Sequence, residues 1–164
     1  MSAPPAYTPE VPPAGLRVAC TSGTAIDSTV TGPPPFADLD GSPVFVASAL
    51  LGGGRSVHPC KFARGHAMYS YAGTEKQHQG RFDILPIIAE EMEWVSAAEG
   101  QIPKGRRPVE GGFEESGQHL FHALTNIDGV WVPGKTAEHL HGGNFGWAGG
   151  ETVRKTGYSI LCWR

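Results

Sequence analysis

The chain repeats itself. Residues 71–85 (YAGTEKQHQGRFDIL) and residues 147–161 (WAGGETVRKTGYSIL) align without a gap at an offset of 76. Ala72/Ala148, Gly73/Gly149, Glu75/Glu151, Ile84/Ile160 and Leu85/Leu161 are identical, and Tyr71/Trp147 and Phe82/Tyr158 keep an aromatic ring. The same offset pairs Phe45 with Phe121 and Ala47 with Ala123, and brings Phe36 within one residue of Phe113. Residues 57–63 (VHPCKFA) match 131–137 (WVPGKTA) at an offset of 74, a two-residue slip that is recovered before Tyr71. A duplication of this kind restricts the chain to two like units. At about 70 residues each, they bury too little alone and must pack together.

The units read as β structure. Val44–Leu50 and His119–Thr125 are β-prone runs bounded by turn-forming residues, and Asp128-Gly129 is a hairpin signal. The 23 glycines and 14 prolines among 164 residues argue against a helical bundle or coiled coil. Ile87–Glu93, after Pro86, is left between a helical turn and a connecting strand. The expected fold is therefore all-β: two tandem pseudo-symmetric antiparallel repeats, over residues 17–86 and 93–164. A Pro-rich arm, residues 1–16, precedes them as an extended or disordered segment.

Composition narrows the partners. A net charge of −3 does not suit a protein that binds nucleic acid through phosphates, and Lys104–Arg107 is too small a basic cluster to change that. The longest apolar run, Val44–Gly54, is far short of the ~20 residues of a membrane helix, so membrane insertion is not expected. No secretion signal is visible, which places the expected protein in the cytoplasm, with unconventional release left open. Cys20, Cys60 and Cys162 have neither an even count nor C-x-x-C spacing, so reduced and largely buried thiols are expected.

Residues 94–105 (WVSAAEGQIPKG), Gly111–Glu114 (GGFE), Leu120–Ala123 (LFHA), Trp131–Lys135 (WVPGK), Trp147–Gly149 and Tyr158–Leu161 resemble the DM-nine repeat of natterin-like proteins. The resemblance covers 93–163 closely and 17–86 more loosely, where Arg17 stands for Trp94 and PPFAD for GGFE. Two repeats in a small chain resemble the mannose-binding lectins of that family. The pore-forming region of natterin-like toxins has no counterpart.

By position, the resemblance implies sugar contacts from an acidic residue at the turn before the first strand and from the lysine of P-G-K. These are Asp38 and Lys61 in the first copy and Glu114 and Lys135 in the second. Such a pair suits a saccharide: a carboxylate accepts from adjacent hydroxyls and an ammonium donates to the oxygens left over. Glu114 is one methylene longer than the expected Asp, and Cys60 replaces the glycine of P-G-K. Cys60 is unsuitable if that position needs a positive φ, and two sites of unequal strength are expected.

Trp131 and Trp147 are expected in the core rather than against a sugar ring. His119/His122 and His139/His141 lack acidic or cysteine partners at ligand spacing, and His58 with Cys60 lacks an orienting third group. No metal, cofactor or enzymatic activity is expected. The expected partner is mannose or a mannose-containing glycan, bound by a chain that forms a homodimer if it self-associates. The alternative is a protein-interaction or defence-sensing module that binds no sugar, with a small histidine metalloenzyme a distant third.

Overall fold

The computed structural model describes residues 11–164; Pro4, Pro5 and Pro9 of the arm lie outside the described residues. The first repeat contributes β1 (Val18–Thr21), the short helix α1 (Ser28–Thr31), β2 (Phe36–Ala37), β3 (Pro43–Leu51), β4 (Ser56–Ala63), β5 (His66–Tyr71), β6 (Thr74–Gln77) and β7 (Arg81–Ile84). The second contributes β8 (Met92–Ala97), β9 (Arg107–Pro108), β10 (Glu110–Phe113), β11 (His119–Ile127) and β12 (Val130–Ala137). A 3-10 turn at Glu138–Leu140, β13 (Gly142–Trp147), β14 (Gly150–Arg154) and β15 (Tyr158–Trp163) complete it. The all-β expectation holds, and Ile87–Glu93 resolves into a turn at Ile88–Met92 that leads into β8.

The duplication is visible in the registers. Ala47 pairs with Ile84 between β3 and β7, and Ala123 with Ile160 between β11 and β15, each position displaced by 76. The two-residue slip has a plain cause. The β3–β4 loop holds four residues between Leu51 and Ser56, whereas Asp128 and Gly129 alone link β11 to β12. The next connection restores the register: two residues join Ala63 to His66, but four join Ala137 to Gly142. Asp128 (φ 52) and Gly129 (φ 84) both adopt the left-handed region that a two-residue hairpin requires.

The halves share one barrel. Strands β4, β5, β6, β14, β13, β12, β11 and β10 follow one another, and β10 returns to β4. The two seams between repeats are narrow: Thr74 against Gly150, and Val57 against Phe113. The second seam depends on glycine. A Cβ on Gly112 would lie 1.9 Å from the Val57 carbonyl oxygen, and the GGF of GGFE runs as a strand pressed against β4, with Glu114 opening the turn that follows.

Each repeat has its own core, Phe45, Phe62, Phe82 and Ile84 in the first, and Ala123, Val132, Phe145 and Tyr158 in the second. A third cluster (Val46, Leu85, Met92, Val109, Leu161, Trp163) joins them, with Trp94 packed on it. The position equivalent to Trp94 is Arg17, and there the packing is polar. Arg17 donates to Ser48 Oγ (2.9 Å), the Glu110 carbonyl (2.8 Å) and His122 Nε2 (2.8 Å). Burial lowers its pKa to about 10.

The described end of the arm is docked, not free. Gly15 N–H donates to the Pro12 carbonyl in a turn, and the Pro13 carbonyl accepts from Trp163 Nε1 (3.1 Å) and from Glu110 N–H (3.1 Å). Trp131 is also not a core residue; it is 49% exposed on β12. It pairs with Asn126 next to the Asp128-Gly129 turn, at the end of β12 away from residues 135–137, where β13 pairs.

Candidate functional site

The turn that carries each candidate acid is the same in both repeats. Asp38 N–H donates to the Ser42 carbonyl and Gly41 N–H to that of Asp38; Glu114 N–H donates to Gln118 and Gly117 N–H to Glu114. Glycine with positive φ closes each turn, at Gly41 (85°) and Gly117 (91°). The lysines are also equivalent. Each sits on the second long strand of its repeat and reaches into the other repeat. Lys61 Nζ donates to the Gly146 carbonyl (3.0 Å) and Lys135 Nζ to that of Ser70 (2.7 Å). An aromatic face lies beside each ammonium, Trp147 at 5.4 Å from Lys61 and Tyr71 at 5.5 Å from Lys135.

Around these shared parts the two surroundings differ. Asp38 and Lys61 line one open cavity of about 600 Å³, together with Arg64, His66, Glu75, Asp128 and Trp147. Both repeats thus contribute to its wall. Glu75 Oε2 lies 3.3 Å from Lys61 Nζ, and Arg64 Nη2 lies 3.5 Å from Asp38 Oδ2. Glu75 Oε2 therefore has the Lys61 ammonium as its ionic partner, while the buried His66 Nδ1 makes no hydrogen bond. Trp147, expected in the core, packs against the second-repeat core yet also lines the cavity.

Glu114 and Lys135 do not meet on a cavity. His58 stands between them: Lys135 Nζ donates to His58 Nδ1 (3.1 Å), and His58 Nε2 lies 3.7 Å from Glu114 Oε1. The second carboxylate oxygen accepts from His139 Nε2 (2.8 Å). The hollow here, about 350 Å³, is lined by Glu114, His58, Tyr69 and Tyr71, and Lys135 is not part of its wall. Burial and the neighbouring ammonium push the His58 pKa down to about 4. Burial also lowers that of Lys135, against the pull of Glu114 and Glu151.

Of the other candidates, Cys60 is buried, and its thiol is pushed up to about 12 by desolvation, which leaves it unreactive as a nucleophile. The three cysteines are free thiols, with Cys20 half-buried. Gly134 does not have a positive φ. A Cβ there would meet the Asn144 carbonyl oxygen at 2.3 Å and the Phe145 ring at 2.6 Å. Cys60 is therefore not excluded by backbone conformation; the P-G-K glycine answers a close approach of β13 to β12. Sequence reading missed Glu75 and Arg64 at the first site and His58 at the second. Glu75 carried a signal, being identical to Glu151 in the repeat. His58 carried none, because its partner Lys135 is 77 residues away.

The fold and the paired turns define a two-repeat β-barrel protein with an acid–lysine cavity between its halves. The DM9 repeat matches residues 38–155, and the chain belongs to that family. Among solved structures, the nematode sperm cell motility protein MFP2B shares the fold, with a TM-score of 0.67 at 18% identity. The likeness covers 99% of this chain but 50% of MFP2B, so the chain spans half the length of that protein. No curated protein gave a significant match.

Proposed function

We propose that this chain is a carbohydrate-recognition protein without enzymatic activity, and that its ligand is mannose or a mannose-bearing glycan held in the Asp38–Lys61 cavity. The observation that carries the reading is that cavity. It sets a carboxylate, an ammonium and an indole on the wall of one open space of about 600 Å³, room enough for a hexose. Asp38 and Glu75 supply acceptors for hydroxyl protons, Lys61 a donor for ring or hydroxyl oxygens, and Trp147 an apolar surface for the C–H face of a pyranose. The acids Asp38, Glu75 and Asp128 are offset by Lys61 and Arg64, a near balance that favours an uncharged ligand. Resemblance to the mannose-binding lectins of the family supports mannose among the hexoses. A glycan array probed with the wild-type protein and with Lys61→Met tests the reading. Mannose-terminated glycans are expected to bind the first and not the second. An array blank for the wild type would overturn the sugar reading in favour of a protein-interaction module.

A further inference from the structure

The two repeats carry the same turn, the same lysine and an aromatic ring in the same place, and both lysines are buried (Lys61 7% and Lys135 3% exposed). Yet Lys61 lines the large cavity and Lys135 does not line the hollow beside Glu114. Of the residues that differ, one stands directly between the second acid and its lysine. Position 58 corresponds to Val132 in the second repeat. Val132, on β12, is buried in the second-repeat core and makes no polar contact with Lys61. His58, on β4, is also buried, but its ring bridges the acid and the lysine of the other repeat. We infer that the second acid–lysine pair is a plugged copy of the first, closed by His58, and that replacing this imidazole opens a second cavity for the same class of ligand. That ligand is a neutral hexose whose adjacent hydroxyls span a carboxylate and an ammonium. The hexose part of the inference rests on the proposed function; the plug does not.

The imidazole suits the role because one nitrogen is bonded to the lysine and the other lies 3.7 Å from the carboxylate. Nδ1 accepts from the Lys135 ammonium, which leaves the ring proton on Nε2, directed at Glu114. Neutral His58 thus takes the place that sugar hydroxyls would take, accepting from the lysine on one side and facing the carboxylate on the other. Tyr71 packs edge-on against the ring at 5.9 Å and Tyr69 lies 6.1 Å away, so the plug is held by stacking as well. Glu114 is further satisfied by His139, and Lys135 by the Ser70 carbonyl. In the first repeat the Lys61 ammonium instead meets the Glu75 carboxylate, at 3.3 Å, and both line the open cavity. The chain as it stands therefore presents one acid–lysine pair on an open cavity and one closed copy of that pair.

The test reads lysine access directly. Wild type, His58→Val and His58→Gln are treated with a small amine-acylating reagent, and modification of Lys135 and Lys61 is followed by peptide mass spectrometry. In the wild type Lys135 is expected to react about tenfold more slowly than Lys61, because it is reached only by local opening. In His58→Val the difference is expected to vanish, whereas His58→Gln, which keeps a polar side chain of similar size, retains it. Calorimetry with mannose should then give one site per chain for the wild type and two for His58→Val. Comparable acylation of both lysines in the wild type, or two wild-type sites, overturns the plug; both are read without any variant having to fold. Protection of Lys135 with no mannose bound by any of the proteins keeps the plug and overturns the sugar reading.

Discussion

At the scale of the residue, Lys61 is the side chain on which the most depends. Its ammonium is held by the Gly146 carbonyl and by Glu75, and it faces the cavity beside Trp147. Charge-assisted hydrogen bonds contribute roughly 1.5–3 kcal/mol, so Lys61→Met is expected to weaken mannose binding about 10- to 100-fold, measured by calorimetry. Met keeps the length and apolar stem, and an unchanged circular dichroism spectrum separates lost binding from lost fold. Asp38→Asn should act in the same direction. Binding is expected to survive a chelator, since the proposed contacts are a carboxylate and an ammonium; loss in EDTA with recovery in calcium contradicts them.

His58 and His122 add a dependence on pH. Both are neutral in the fold, His58 at about 4 through burial and the Lys135 charge, and His122 lower than its ordinary value through burial and Arg17. In the unfolded chain each takes up a proton near 6.5. The unfolded state then holds more protons than the native one between the two values. Stability is complete above about pH 6.5 and declines as the pH falls toward 4. Urea midpoints measured between about pH 7.5 and 5 are expected to fall with pH, and less steeply in His58→Val.

At the scale of the element, the seam between β10 and β4 is the most exacting piece of the fold. It joins the repeats through one register pair, Val57 with Phe113, and tolerates no side chain at Gly112. Gly112→Ala forces the Val57 carbonyl aside, at a cost of at least about 1–3 kcal/mol. Gly150→Ala, on β14 with nothing closer than 3.7 Å to the added carbon, is expected to stay within about 0.5 kcal/mol of the wild type. Thermal melts of the two variants make the comparison. The turns show the same sensitivity differently: Asp128-Gly129 is fixed by backbone conformation, whereas Gly111 and Gly112 are fixed by what lies against them.

At the scale of the whole molecule, one open acid–lysine pair per chain changes how a mannose-rich surface would be engaged. A single shallow site should bind free mannose no more tightly than roughly 10 µM to 1 mM. Avidity gains of about 10²–10⁴ need two sites acting together, so they require a second copy of the chain. Surface binding to dense mannan is therefore expected to rise steeply only where sedimentation shows self-association. Tight mannan binding by a demonstrated monomer would contradict this. Among the described residues no helix is long and apolar enough to cross a membrane.

The sequence determined what depends on order along the chain. Alternation, turn residues and the repeat placed β3 and β11, and the offsets of 76 and 74 recorded the two-residue slip that the loops of different length produce. Asp38, Glu114, Lys61 and Lys135 were named through the family resemblance, and the structure sets the two acids in equivalent turns and the two lysines on equivalent strands. Tertiary structure decided what depends on contact between the repeats. Barrel closure at two narrow seams brought Glu75 and Trp147 beside Lys61, and His58 against Lys135. The physical reason is separation. A hairpin partner lies a few residues away and is announced by its turn, but His58 and Lys135 are 77 residues apart, and nothing local in either segment reports that the other is 3.1 Å away.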